Sequence, residues 1–209
     1  VVPFGIDQNL FRKKTEPSNT SSLVIGTIKT LEYTYGIDIL LKSFSCLMKR
    51  LNAENYKRSL NLVIVGGGTR ADEYKQLAIL LGIDGKTSFV GPLPQSEAVN
   101  YLNQMDIFAA FSRRESFGVS LIEAYANEKV CVTSDAPGFL EISENGNLSI
   151  VVPANDIKAS AEGLYKVVSN YESYAGRLAA QKHAVREKYD IKQTTKMLLK
   201  HLVANQVNE

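Results

Sequence analysis

Ile107-Phe108-Ala109-Ala110-Phe111-Ser112-Arg113-Arg114-Glu115-Ser116-Phe117-Gly118-Val119-Ser120-Leu121-Ile122-Glu123-Ala124-Tyr125-Ala126-Asn127 decides the fold. The short apolar run Ile107–Ala110 gives way to a polar loop, Phe111–Phe117, and then to a stretch, Gly118–Asn127, that reads as a helix. A strand passing through a loop into a helix is one βα unit, and the alternation recurs on both sides of it. Strands are expected at Leu23–Gly26, Asn61–Val65, Thr87–Val90, Ile107–Ala110, Val130–Thr133 and Ser149–Val152. Helices are expected at Gly36–Arg50, Arg70–Leu81, Ser96–Asn103, Gly118–Asn127 and Ile157–Ser169. The strands are short and mostly apolar, as in a parallel sheet covered by helices on both faces. In the first helix Ile37, Leu40, Leu41, Phe44, Leu47, Met48 and Leu51 recur at three- and four-residue intervals, which turns one stripe toward the sheet.

The expected fold is therefore α/β: a doubly wound, Rossmann-like parallel sheet of about six strands in a single domain over 1–209. Residues 1–22 read as a linker leading in, and 171–209 as two terminal helices. The chain begins with Val1 rather than Met, which reads as a piece of something longer.

A chain of 209 residues with 44% hydrophobic and 22% charged residues can bury an ordinary core without metals or disulfides. Lys and Arg number 24 against 22 for Asp and Glu, so the net charge of +2 supplies no field to draw the chain onto nucleic acid. An anionic ligand has to be held by local geometry instead. Cys46 and Cys131 each lie in an apolar run and read as buried, reduced thiols of a cytosolic protein. No stretch is long and apolar enough for a membrane span. A cytoplasmic location is expected, with attachment to the inner face of a membrane left open.

Ligands of open parallel sheets bind at the carboxyl ends of the strands. The loops of interest are Thr27–Tyr35, Gly66–Thr69, Gly91–Gln95, Phe111–Phe117 and Ser134–Gly138. At the head of the helix near Gly118, the amides of Phe117, Gly118, Val119 and Ser120 lack intrahelical partners and sit at the positive end of the helix dipole, a ready phosphate site. Glu115 and Glu123 bracket it, and carboxylates accept hydrogen bonds from hydroxyl pairs of the kind a ribose or a hexose offers. Elsewhere the signals are weak. Gly66–Gly68 lacks dinucleotide-binding spacing and reads as a tight turn, His183 and His201 fall in terminal helices, and no cluster has metal-ligand spacing.

The segment from Glu115 to Glu123, two glutamates separated by seven residues around Phe117-Gly118, resembles the signature of the group 1, retaining, GT-B-fold glycosyltransferases. Other segments resemble the same family in order: Val1-Val2-Pro3-Phe4-Gly5-Ile6-Asp7, with Phe4 where Asn is usual, Leu62–Gly68, Ser88–Pro94 and Thr133–Glu141. The resemblance covers Val1 to about Ser169. It implies the C-terminal, nucleotide-sugar-binding half of a GT-B fold, with the acceptor site on an N-terminal domain.

The resemblance further implies that Glu123 holds the ribose and Glu115 the donor sugar. The amides of Phe117, Gly118 and Val119 would take the terminal phosphate and the backbone near Val90 and Gly91 would meet the base, with Gly26, Thr27 and Ser116 also in the donor-binding set. The family's basic pair is absent: Thr27 stands where Arg is usual, and Thr34 or Tyr35 near the usual Lys. Lys29 is left to stabilise the leaving group, with Arg113 or Arg114 as an open addition. The implied partners are an NDP-sugar donor, UDP-linked by default and used without a metal or other cofactor, and a glycan or lipid-linked acceptor. The isolated domain is expected to bind the donor without completing transfer. A non-catalytic nucleotide-sugar-binding module and a nucleotide-sugar epimerase of GT-B architecture remain as alternatives at this point.

Overall fold

The computed structural model describes residues 5–7, 21–175 and 178–206. Val1–Phe4 and most of the linker lie outside the described residues, as does the His201 side chain. Six strands, β1 (Ser22–Ile28), β2 (Ser59–Val65), β3 (Thr87–Gly91), β4 (Ile107–Ala110), β5 (Val130–Ser134) and β6 (Ile150–Val152), form one parallel sheet in the order β3-β2-β1-β4-β5-β6. Consecutive strands therefore run outward from β1 to one edge, return to the centre at β4, and run outward to the other.

Period-two alternation sends each strand's side chains into two cores. Leu23, Ile25, Leu62, Ile64, Ile107, Ala109 and Val132 face α1 (Ile37–Ala53), α2 (Ala71–Leu80) and α6 (Ile157–Ser169). Phe108, Ala110 and Cys131 face α3 (Gln95–Gln104), α4 (Val119–Ala126), α5 (Pro137–Ile142) and α8 (Leu178–Lys188). The stripe expected on α1 is the one it buries, and α6 starts where Asp156 accepts the Ala159 amide at 2.8 Å.

Three expectations need correction. Cys46 is exposed, because it lies off the buried stripe of α1 although its neighbours in sequence are apolar; Cys131 is buried as expected. The segment after β5 is not all loop, since Pro137 opens α5, where its missing N–H costs nothing. Among the described residues the tail holds three helices where two are expected: α7 (Tyr171–Ala175), α8 and α9 (Ile191–Gln206). Ile6 pairs with the junction of the last two, its amide donating to the Tyr189 carbonyl at 2.9 Å and its carbonyl accepting from Ile191 at 3.0 Å.

Candidate nucleotide-sugar site

β1 and β4 are neighbours whose connections leave in opposite directions, so the loops at their carboxyl ends splay and open a crevice. A cavity of about 650 Å³ fills it. Its lining comes from Lys29, Thr30 and Tyr35 after β1, Gly66 and Gly67 after β2, Pro92 and Leu93 after β3, Ala98 of α3, and Glu115–Ser120 with Glu123 around the head of α4.

The loop after β1 is held by the glycines after β2. Lys29 donates its amide to the Val65 carbonyl at 3.0 Å, and Leu31 to Gly67 at 2.9 Å, which extends the pairing beyond the strands. A Cβ on Gly66, whose φ is 139°, would fall 1.9 Å from the Lys29 carbonyl oxygen. Only glycine allows this approach, so the triple glycine, read from sequence as a turn, also positions Lys29. The Lys29 ammonium lies 2.6 Å from a Glu115 carboxylate oxygen, with side-chain exposures of 9% and 11%. It also lies 5.3 Å from the ring centres of Tyr35 and of Phe139. Tyr35 stands near the position where the family resemblance expects Lys; its ring lines the cavity and Lys29 brings the charge from six residues away.

α4 begins at Val119 behind Gly118, which has φ 90° and no side-chain cap. Among the described residues no backbone carbonyl accepts from the amides of Gly118, Val119 or Ser120, and the buried Ser120 hydroxyl has no partner. The Gly118 conformation explains the glycine, and so does its neighbour, because a Cβ there would lie 2.9 Å from the Phe139 ring. Gly138 supports the loop from behind, its amide donating to the Glu115 carbonyl at 3.0 Å. The Phe117 ring meets Tyr189 of the tail edge-on at 5.9 Å.

Glu123 is 8% exposed and accepts the Gln95 side-chain amide at 2.6 Å. Burial raises its pKa above the ordinary glutamate range, against opposing pulls from Gln95 and the Lys29 charge. Arg113 is engaged elsewhere, forking onto both oxygens of Asp38 at 2.8 Å and stacking on Tyr33 at 3.7 Å. Burial works to raise the Asp38 pKa, but the Arg113 bonds and charge outweigh it and hold the carboxyl below its usual range. Arg114 is exposed and outside the cavity lining.

The structure thus brings together Lys29, Glu115, Ser116, Phe117, Gly118, Val119 and Glu123. Gly26 and Thr27 do not join them: both lie inside β1, Gly26 against the Met105 side chain and Thr27 only 1% exposed. Val90 and Gly91 stop short of the lining, where Pro92 and Leu93 take their place. Gln95, Tyr35 and Phe139 were not singled out for the site from sequence, and of Ser120 only the amide was. Tyr35 and Gln95 fell in loops marked for inspection, whereas the packing of Phe139 behind Gly118 had no local signal. Among the described residues no group of three His, Cys, Asp or Glu side chains is placed to hold a metal ion.

This geometry belongs to a known class. The sequence profile of the family described as glycosyl transferases group 1 matches residues 8–183, and the chain belongs to that family. The fold is that of the C-terminal half of a GT-B enzyme. Curated relatives include a D-inositol 3-phosphate glycosyltransferase of Corynebacterium aurimucosum, 28% identical over 81% of this chain and 43% of its own length. Another is the capsular polysaccharide biosynthesis glycosyltransferase CapM of Staphylococcus aureus, 25% identical over 80% of this chain and 42% of its own. The chain thus spans less than half the length of either relative. Among solved structures, Anabaena HepE in complex with UDP and glucose superimposes with a TM-score of 0.81 at 19% identity, over 95% of this chain and 55% of HepE. Among the described residues no helix is long and apolar enough to cross a membrane.

Proposed function

We propose that the chain is the donor-binding half of a retaining glycosyltransferase that moves a sugar from an NDP-sugar to a glycan or lipid-linked acceptor in surface polysaccharide or glycan biosynthesis. The observation that carries the reading is the convergence of the uncapped head of α4, Lys29, Glu115 and Glu123 on one cavity. The crystallised HepE complex contains UDP and CapM is named for capsular polysaccharide synthesis, which supports a UDP-sugar and a surface glycan.

In this reading the amides of Gly118, Val119 and Ser120 receive the terminal phosphate, and Glu123 accepts the ribose hydroxyls. Departure of the diphosphate builds negative charge on the bridging oxygen. Fixed amide dipoles and the Lys29 ammonium, held in a site of low exposure, stabilise that charge as it forms. Glu115 anchors Lys29 and offers its remaining acceptor capacity to the donor sugar. Attack comes from the face the diphosphate leaves, so no protein nucleophile is assigned. The acceptor is held by an N-terminal domain, and this chain alone binds donor without transfer.

Among the described residues Lys29 at the cavity wall supplies the one basic side chain of the lining, the charge that both diphosphate binding and leaving-group stabilisation call for. A thermal-shift panel of UDP-, GDP- and ADP-sugars tests the reading. Stabilisation by one nucleotide class is expected; no shift with any of them at millimolar concentration contradicts it.

A further inference from the structure

Arg113 precedes Glu115 by two residues in the loop after β4, and its side chain, 14% exposed, is not part of the cavity lining. Instead it reaches across the rim. Its amide donates to the Thr34 carbonyl at 2.8 Å and its Nη1 to the Tyr33 carbonyl at 2.6 Å, both in the loop that follows Lys29. Nη1 and Nη2 fork onto Asp38 in the first turn of α1, and Nε donates to Oδ1 of Asn155, in the turn before α6, at 3.1 Å. One residue thus ties the loop after β4 to three other segments at the carboxyl end of the sheet. The same two loops carry Lys29 and Glu115, whose ion pair is 2.6 Å long, and Tyr35 of the pinned turn sets its ring centre 5.3 Å from the Lys29 ammonium. The contacts close a ring that runs from Arg113 to Thr34, from Tyr35 to Lys29, from Lys29 to Glu115, and back along the chain to Arg113.

We propose that Arg113 is a positioning residue for transfer: by pinning the Tyr33–Tyr35 turn against the loop after β4, it fixes where the Lys29 ammonium stands relative to the diphosphate. The inference rests on the donor-site reading and deepens it. A lysine ammonium on its flexible four-carbon stem is placed only as well as the groups around it are placed. Two of those groups, Glu115 and the Tyr35 ring, sit on the loops that Arg113 holds together. A preorganised charge loses effect steeply when it is misplaced, a shift of about 1 Å being enough to slow a reaction by about 10²-fold. Lysine at this position would keep the charge but not the fork, since one ammonium cannot reproduce the planar set of bonds to Asp38, the Tyr33 carbonyl and Asn155. The charge of Arg113 and its positioning role are therefore separable.

Single-turnover transfer by the full-length protein, with UDP affinity from calorimetry and urea midpoints alongside, tests this on the wild type, Arg113→Lys, Lys29→Met and the double variant. The expected result is that Arg113→Lys slows transfer about tenfold with UDP affinity within about twofold of wild type, and that the same substitution changes transfer by less than about twofold once Lys29 is replaced. Transfer at the wild-type rate in Arg113→Lys overturns the proposal. So does a fall in UDP affinity as large as the fall in rate, or a loss that persists undiminished in the Lys29→Met background, since a role in merely holding the rim together would give either. Should Arg113→Lys fail to fold, Asp38→Asn loosens the fork from its other side and decides by the same comparisons, with a smaller loss that vanishes in the Lys29→Met background expected. If Lys29→Met leaves transfer unchanged, the assignment of Lys29 to the leaving group falls and the role of Arg113 with it. If Lys29→Met slows transfer and Arg113→Lys does not, the role of Arg113 alone falls.

Discussion

The two ends of the central sheet both bury carboxylates, and they treat them differently. At the amino end, Asp106 accepts the Val24 amide at 2.8 Å and lies within 3.5 Å of the Tyr171 hydroxyl, with the charges of Lys129 and Arg58 nearby. Burial pushes its pKa up, and burial together with the Asp106 charge pushes the Tyr171 hydroxyl up as well, yet the protein supplies the partners and encloses them. At the carboxyl end, Glu115 takes Lys29 at 2.6 Å and the Ser112 hydroxyl at 3.3 Å on one oxygen, Glu123 takes Gln95 at 2.6 Å on one of its own, and both carboxylates face a cavity. A buried polar group satisfied by its own chain holds the fold together, whereas one left with spare acceptors beside an opening is prepared for a ligand. The contrast, more than any single residue, separates structural acid from binding acid here.

Substitutions at the two ends should therefore fail in different ways. Lys29→Met has the largest expected effect: transfer by the full-length protein should fall roughly 10²- to 10³-fold, the scale of losing one preorganised charge-stabilising group. Measuring single-turnover transfer alongside UDP affinity checks it, with affinity expected to change much less than rate. Asp106→Ala, at the other end, should destabilise the chain by about 1–3 kcal/mol in urea unfolding, the cost of leaving the Val24 amide without its acceptor. UDP affinity, measured well below the midpoint, should remain as in the wild type.

Glu123→Gln is expected to weaken UDP by about tenfold, removing one charge-assisted contact. Its pH signature sharpens the comparison. The Glu123 pKa is raised in the folded state above the ordinary 4.5, so its contribution to stability is full below that value and is lost as pH rises through the folded pKa. Over the same window Glu123 ionises and becomes the better acceptor, so UDP affinity should climb as stability declines. Glu123→Gln should abolish that opposition without lowering the unfolding midpoint at neutral pH. Smallest of all is Cys46→Ser, an exposed replacement within about 0.5 kcal/mol of neutral. A thiol reagent should label native Cys46 rapidly and Cys131 only on unfolding.

The fold was readable from sequence because burial and period agreed. The apolar stripe of α1 and the Ile157–Ser169 helix both appear where the spacing put them. The apolar run around Cys46 does not show the residue's phase on the helix, and that phase leaves the thiol exposed. The α5 helix was missed because Pro137-Gly138 reads equally as a turn and as a helix start. Within the site, Glu115, Gly118 and Glu123 share one loop and helix and were visible together. The Lys29–Glu115 contact spans 86 residues, and the Gln95–Glu123 contact 28, so neither pairing leaves a local periodic trace. Long-range juxtaposition of this kind is a property of the sheet order, which brings β1 and β4 side by side only after the chain has folded.

A crystal structure of the chain with UDP addresses the central claim most directly. Phosphate oxygens within about 3 Å of the Val119 and Ser120 amides, with the ribose on Glu123, are the predicted result. Nucleotide bound away from the crevice between the β1 and β4 loops, with the head of α4 unengaged, would contradict it.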